Sequence, residues 1–308
     1  MSAPRHDPVL LDEALALLAP GAGETAVDAT VGLGGHAERI AARIGPTGRI
    51  VINDLDPSNL RAAEARLRAL PAPPTIETIH GNLADLPRRL TDRGLAADLV
   101  LADLGFASSQ VDDPARGFSF SRDGPLDMRL DPSAPETAAD LVARLPEAEL
   151  ADLIRRFGEE RRAGRIAAKL VAARADAPIL TTGRLAELVR QAVGPRRPGE
   201  RIDPATRTFQ ALRIAVNDEI GSVERFVGAV GRAARSPGRS WLAPGARVAV
   251  IAFHSLEDRP VKRAFADLAR AGLADALTRK PIRPGAGELD RNPRARSARL
   301  RAIRLPSS

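Results

Sequence analysis

Three stretches carry residues whose types and spacing could do chemistry. In "DATVGLGGHAE", residues 28–38, the glycines Gly32, Gly34 and Gly35 and the histidine His36 stand between a β-like and a helix-like run. Glycines at such a turn let the backbone approach a ligand closely, and the following helix offers N–H groups at its amino end. Asp54 ends the next β-like run, about 20 residues on, where an acid can accept hydrogen bonds from both hydroxyls of a ribose. Asp56, directly before Pro57, reads as a helix N-cap. Gly32, Gly34 and Ala37 also satisfy the G-x-G-x-x-A of dinucleotide-binding dehydrogenases. The loop therefore leaves two cofactors open, NAD and S-adenosylmethionine.

The second stretch is "LADLGFASSQVDD", residues 101–113, with Asp103 at the end of a β-like run. Open α/β sheets put their chemistry at that edge. A dehydrogenase has no use for an acid followed three residues later by Phe106, whereas an enzyme that methylates an exocyclic amine does. The amine lone pair of cytosine N4 or adenine N6 is delocalised into the ring. A carboxylate that accepts its N–H bonds localises the pair toward a methyl donor, and an aromatic ring can stack on the base. The plainer alternative has Asp103 capping a loop and Phe106 packing in a core. The third stretch follows a later β-like run: His254, at the same sheet edge, is a candidate for a substrate-contacting or site-shaping role. "SLED", residues 255–258, reads as a capping box of Ser255 with Asp258.

These residues need a frame to hold them. Apolar, partly β-branched runs at 25–30, 49–54, 75–80, 97–103 and 247–253 read as buried parallel strands, with helix-length segments between the first four. Strands alternating with helices predict a doubly wound, mostly parallel α/β sheet, and residues 297–305 read as a last strand. About 140 residues separate the fourth strand from the fifth, far beyond an ordinary crossover. The intervening chain begins with a Gly/Pro/Asp-rich stretch, 112–133, expected to order over the site when substrate arrives. It continues with helical periodicity, so 113–205 is expected to form an inserted helical subdomain, with 1–112 and 206–308 forming the sheet domain. Residues 207–230 read as one helix returning to the sheet, with Phe209, Leu212, Val216 and Ile220 on one face and Arg207, Gln210, Arg213 and Asn217 on another.

Composition narrows the chemistry further. The chain has 308 residues and a net charge of +7, with 46 basic against 39 acidic side chains; an excess of this kind favours an anionic partner such as nucleic acid. Only Lys169, Lys262 and Lys280 are lysines, so the excess is arginine. There is no cysteine, which excludes disulfides, thiolate metal sites and thiol nucleophiles, including the thiolate that methylation of cytosine carbon 5 ordinarily uses. His6, His36, His80 and His254 lack metal-binding spacing, so no metal is expected. No apolar run approaches the roughly 20 residues of a membrane span, and no signal peptide is evident at the amino terminus, so a cytoplasmic protein is expected.

Taken in order, the motifs resemble one family, the bacterial small-subunit rRNA cytosine-N4 methyltransferases of the RsmH (MraW) type. The matching stretches include "HDPVLLDEAL" (6–15), residues 28–38, "DLDP" (54–57), "HGN" (80–82), "DLGFASSQVDDPARGFSFSRDGPLDMR" (103–129), "FGEERRAGRIAAKL" (157–170), "PATRTFQALRIAVNDE" (204–219), "FHSLEDRPVK" (253–262) and "NPRARSARLR" (292–301). Together they span nearly the whole chain. The resemblance implies a Rossmann-like methyltransferase fold with a helical insertion, S-adenosylmethionine as cofactor, and small-subunit rRNA or the small ribosomal subunit as substrate. It implies methyl transfer to N4 of a cytidine in the decoding region. By position, Gly34, Gly35 and His36 would contact the methionine part of the cofactor, Asp54 its ribose and Leu83 its adenine. Asp103 and Gln110 would complete the cofactor site beside the target base. The chain departs from the family at Phe106 and Ala107, where Val-Ser is usual. Arg207, Gln210 and Arg213, with Arg294, Arg296 and Arg299, are candidates for meeting RNA phosphates. A monomer and a homodimer are equally compatible with the sequence.

Overall fold

The computed structural model describes residues 8–194, 203–236 and 240–307, without the side chains of Ser108 and Ser109; His6 of the first matching motif lies outside the described residues. The chain forms two compact units, Met1–Gly105 with Ile220–Ser308, and Phe106–Glu219.

The first unit is a doubly wound sheet. It opens with helix α1 (Leu11–Leu18), then runs β1 (Thr25–Asp28), α2 (Gly35–Ile44), β2 (Arg49–Asp54), α3 (Pro57–Arg68), β3 (Thr75–His80), α4 (Leu86–Asp92) and β4 (Ala97–Asp103). The central strands are apolar on both faces, and their alternation divides them between two cores. Ala26, Ile50, Ile52, Leu99 and Leu101 pack with Leu15 and Leu18 of α1, Ile40 and Ile44 of α2 and Leu60 and Leu67 of α3. Val27, Val51, Val100 and Ala102 join Leu86 and Leu90 of α4 in the opposite core.

The second unit has its own core. After α5 (Ser108–Asp112) come α6 (Ala138–Arg144), α7 (Glu147–Gly158), α8 (Ala163–Asp176), α9 (Thr182–Val193) and α10 (Ala205–Val216). Residues 112–133 are not an open loop. Arg116 donates to the carbonyls of Arg129 and Leu130 at 3.0 Å each, and the Met128 N–H donates to the Arg116 carbonyl at 3.0 Å. A Cβ on Gly124 would lie 2.1 Å from the Pro114 carbonyl oxygen, so only glycine closes the turn.

The expected boundaries shift here. Ala205, Phe209 and Leu212 of α10 pack into the helical core with Leu150 and Ile154 of α7, so α10 belongs to the second unit, which runs from 106 to 219 and not from 113 to 205. Gly158 allows the close crossing, since a Cβ there would sit 2.5 Å from the Arg207 carbonyl oxygen. The single helix expected over 207–230 is two. Asn217 turns its side chain onto the backbone of Met128 and Leu130, at 2.8 and 2.7 Å, and Asp218 takes a left-handed φ of 46°.

Back in the first unit, α11 (Glu219–Ala234) leads to β5 (Leu242–Ala252), followed by α12 (Ser255–Arg270), β6 (Asp275–Ala276), α13 (Ala286–Arg291) and β7 (Arg299–Arg304). Val223, Phe226 and Val230 of α11 and Val261 and Phe265 of α12 complete the core shared with α4. Among the described residues the sheet has seven strands in the order β3-β2-β1-β4-β5-β7-β6, with β1 to β5 parallel, β7 antiparallel to β5, and β6 antiparallel to β7. β5 begins earlier than expected, pairing Leu242 with Ala97 before a register shift. The chain winds outward from β1 through β2 to β3 and then returns to β4 on the other side of β1. The switch point thus lies between β1 and β4, where such sheets bind their ligands. No helix among the described residues is long and apolar enough to cross a membrane.

Candidate active site

The glycine loop leaves β1 and is tied to both neighbouring strands. Ala29 donates to the Leu101 carbonyl and Val31 to the Asn53 carbonyl, both at 2.8 Å. Gly32 and Gly34 take left-handed φ values of 51° and 81°. Gly34 caps α2 without any side-chain hydrogen bond, which leaves the helix amino end to be completed by another group. A Cβ on Gly34 would approach the Ala63 Cα to 3.0 Å, and one on Gly35 would lie 2.5 Å from Pro8 Cγ. The loop is thus glycine for space as well as for dihedral angle.

Asp54 ends β2 and does more than the sequence suggested. Its Oδ2 accepts the Gly32 N–H at 2.8 Å, so it anchors the glycine loop, while Oδ1 accepts from the Asp56 N–H at 2.8 Å and from Asn59 at 3.3 Å. Burial pushes its carboxyl above the usual range, against those hydrogen bonds. Asp56 caps α3 as expected, accepting from the Ser58 N–H at 2.9 Å. Leu83, the expected adenine contact, lies just past β3, partly buried against the α4 core. Asn82 fixes that turn, donating to Ser222 Oγ and accepting the Ala84 N–H, each at 2.8 Å.

Asp103 and His36 are brought together. Asp103 ends β4, and its backbone N–H donates to Thr30 Oγ1 at 2.7 Å. Its Oδ2 faces His36 Nδ1 at 3.5 Å, and its Oδ1 is buried with no hydrogen-bond partner among the described residues. His36, itself buried, donates from Nε2 to the Val9 carbonyl at 3.0 Å. Two acids that sequence reasoning missed belong to this cluster. Asp28, the last residue of β1, is pushed up to about 7 by burial, with the charge of Asp54 adding to the effect. Glu257, in the first turn of α12, is also buried. Burial, then the charges of Asp28 and Glu257, raise Asp103 well above the ordinary carboxylate range. Asp28's position at the end of a central strand, on the edge where Asp54 and Asp103 were sought, was the available signal.

The capping box at α12 is displaced by one residue from its expected place. His254, not Ser255, is the N-cap: its Nδ1 accepts the Glu257 N–H at 3.3 Å, and Glu257 returns a carboxylate oxygen to the N–H groups of Phe253 and His254 at 2.8 and 3.3 Å. His254 thereby shapes the helix start and holds Glu257 in place. Asp258, expected in the cap, pairs instead with Arg301 through two contacts of 2.6 and 3.1 Å and with Arg299 at 3.4 Å.

Phe106 and Gln110 belong to the second unit. Phe106 is 39% exposed, stacks on Phe118 with centroids 5.8 Å apart and lies 4.4 Å from the Arg213 guanidinium. Gln110 is buried and accepts the Ala107 N–H at 2.9 Å. The polar face of α10 is largely engaged within its own unit: Arg213 binds both carboxylate oxygens of Glu219 at 2.7 and 2.8 Å, Gln210 donates to the Phe157 carbonyl at 3.1 Å, and Arg207 lies 3.5 Å from Glu160. Arg294 and Arg296 are exposed.

The model of the MraW methylase family matches residues 3–305. The chain belongs to that family. Among its relatives, Ribosomal RNA small subunit methyltransferase H of Halorhodospira halophila is 50% identical over 97% of this chain and 94% of its own length. The protein of the same name from Acidobacterium capsulatum is 46% identical over 98% of this chain and 99% of its own. Of solved structures, a SAM-dependent O-methyltransferase from Thermotoga maritima matches with a TM-score of 0.40 at 10% identity, over 98% of this chain and 68% of that one. As a member of the MraW methylase family, the chain places its glycine loop and three acids on the carboxyl edge of β1, β2 and β4.

Proposed function

We propose that this chain transfers a methyl group from S-adenosylmethionine to N4 of a cytidine in the decoding region of small-subunit rRNA, acting in the cytoplasm on the rRNA or the small ribosomal subunit. The observation that carries the reading is Asp103 Oδ1, a buried acceptor without a partner among the described residues, at the sheet's switch point. The residues present fit the cofactor. Gly32 leaves open space where a Cβ would stand, the start of α2 lacks a side-chain cap, and a carboxylate such as Asp54 has about four acceptor positions, of which three are used. Gly34, Gly35 and His36 would hold the methionine part, Asp54 the ribose and Leu83 the adenine. When bound, S-adenosylmethionine supplies an electrophilic methyl on a cationic sulfur.

Within this reading the chain's own groups do the rest. Asp103 accepts an N–H bond of the exocyclic amine at Oδ1, which turns the nitrogen lone pair out of conjugation with the ring. His36 holds the carboxyl's orientation from Oδ2, and His254 shapes the edge through Glu257. An amine needs no covalent intermediate, only alignment and exclusion of water, in keeping with a chain that has no thiol. Phe106 is proposed to contact the target base, and Arg294 and Arg296 the RNA phosphates.

The test is nucleoside mass spectrometry of unmodified small subunits incubated with the protein and methyl-labelled S-adenosylmethionine. Labelled N4-methylcytidine is expected, reduced at least about a hundredfold by Asp103→Asn, the scale of losing one transition-state contact. Label on another nucleoside would overturn the substrate. Absence of label together with nicotinamide binding would return the glycine loop to a dehydrogenase role.

A further inference from the structure

We propose that the outer margin of the sheet, beside β7, is a track for the backbone of the RNA substrate, on which Arg279, Lys280 and Arg283 hold phosphates within a few nucleotides of the target base. The inference rests on the proposed function for its substrate; the track itself follows from strand register within the first unit. Asp103 of β4 pairs with Ile251 of β5, Ile251 with Leu300 of β7, and Leu300 with Ile282 in the chain just outside it. Ile282 exchanges both backbone hydrogen bonds with Leu300, at 2.9 and 3.0 Å. One row of pairs thus runs from Asp103 to the margin, three strand spacings or about 14 Å away. An extended single strand covers that distance in a few nucleotides. The outermost pair is antiparallel, so the chain through Ile282 runs in the direction of β5, and Arg283 lies further toward the carboxyl edge on which Asp103 stands.

Two more cations are set outward by the same margin. The Leu277 and Thr278 N–H groups donate to the Ala302 carbonyl at 3.0 and 3.3 Å, and Thr278 Oγ1 accepts the Ala302 N–H at 3.0 Å. Between that anchor and the Ile282–Leu300 pair, β7 has one residue, Arg301, while the outer chain has three, Arg279, Lys280 and Pro281. The outer chain therefore bulges from the edge, and a bulge re-aims side chains away from the ladder. Arg279, Lys280 and Arg283 are exposed, and among the described residues none of the three side chains has a hydrogen-bond or ion-pair partner. The next cations inward, Arg299 and Arg301, are held by Asp258. Residues 277–283 contain no acid. Charges and prolines also keep a bare sheet edge from adding another strand, but Pro281 and Pro284, which have no N–H to offer a strand, do that without charge. Unpaired cations beside the reacting edge match a phosphate backbone.

The test is binding of the full chain to unmodified small ribosomal subunits, and to protein-free small-subunit rRNA, over a salt series without cofactor, followed by methyl transfer from labelled S-adenosylmethionine. A phosphate contact on a single strand contributes about 0.7 to the slope of log affinity against log salt, or about fivefold in affinity at 0.1 M salt. Arg283→Gln should lose one such contact, and Arg283→Lys, which keeps the charge, should not. Replacing Arg279, Lys280 and Arg283 together by Gln should lower the slope by about 2 and the affinity about a hundredfold at 0.1 M salt. KM for subunits should rise while kcat stays within about twofold, since the lost contacts serve ground state and transition state alike. Arg43→Gln, in the last turn of α2, should change neither slope nor KM. An affinity and a slope that the triple substitution leaves in place would overturn the proposal. So would a loss seen with subunits and absent with protein-free rRNA, which would make the partner a ribosomal protein, or self-association of the variant with subunit affinity retained, which would make the cations edge protection. Binding is read without cofactor, so it decides the inference whichever nucleoside is labelled. A lowered slope with label on a nucleoside other than N4-methylcytidine would uphold the track and sink the proposed target. N4-methylcytidine formed with the slope intact would do the reverse.

Discussion

Replacing Asp28 by Asn should make the first unit more stable, and only above acidic pH. Burial holds the Asp28 carboxyl at about 7, against 3.8 for an unperturbed Asp. Between those values the folded protein binds a proton that the unfolded chain has released. The stability Asp28 contributes is therefore fully present below the unfolded value and is lost as pH rises through 7. Each pH unit corresponds to about 1.4 kcal/mol, so an interval of about three units amounts to about 4 kcal/mol. Asn keeps an oxygen for the Thr30 N–H and does not titrate. The variant's unfolding free energy relative to the parent should therefore grow by about 4 kcal/mol from pH 4 to pH 8. Trp241, the one tryptophan in the chain, is buried beside Phe226 with centroids 5.9 Å apart, so its fluorescence follows the first unit alone. Urea unfolding read at Trp241 at several pH values checks the figure. Asp54 and Asp103 are raised too, so both proteins lose stability with rising pH, and the divergence reports Asp28 together with its coupling to those two acids. Parallel curves for the two proteins would refute the reasoning.

Gly34→Ala combines a left-handed φ of 81° with a Cβ 3.0 Å from the Ala63 Cα; the dihedral alone costs about 1–2 kcal/mol, and calorimetry should show S-adenosylmethionine affinity down at least about tenfold. Gly94→Ala, whose φ is 66° with open space around the Cβ, should leave that affinity unchanged. Arg301→Met leaves the buried Asp258 carboxylate with only Arg299 at 3.4 Å, and should lower stability by about 3 kcal/mol in Trp241-detected unfolding, most of it recovered when Asp258→Leu is added. S-adenosylhomocysteine lacks the sulfonium charge, so its dissociation constant relative to that of S-adenosylmethionine should rise about threefold or more between pH 6 and 8 as the edge acids ionise; a constant ratio would show that the acids do not meet that charge.

The strands were legible in the sequence because burial on both faces leaves a continuous apolar run. In β4, Leu99 and Leu101 enter one core while Val100 and Ala102 enter the other. The start of β5 was not legible, since Pro244 and Gly245 read as a turn although the strand continues through them to Leu242 with a change of register. The apolar stripe of α10 was visible, but not its partner: Phe209 and Leu212 would suit a sheet or a helical core equally, and Gly158 of α7 decides it by letting the two helices touch. At the site, Asp54 and Asp103 stood out by strand-end position. Asp28 stands at such an end too, yet its burial and its neighbours are tertiary facts. His254 escaped as a cap because Ser255 is the commoner capping residue, and the two readings differ by one position.

The same acids bear on the choice the glycine loop left open. Asp54, Asp28 and Asp103 end three adjacent strands in the order β2-β1-β4, a row about 10 Å long at the usual strand spacing. A dinucleotide would bring a doubly charged pyrophosphate to the start of α2, beside that row, and like charges in a buried setting repel strongly. Burying carboxylates at a sheet edge costs stability, and neighbouring acids add to the cost, as the raised carboxyls of Asp28 and Asp103 record. The cost is offset only by a ligand that brings hydrogen-bond donors and positive charge. A ribose and a sulfonium do so in one molecule, without the doubly charged pyrophosphate that a nicotinamide dinucleotide would set beside the row.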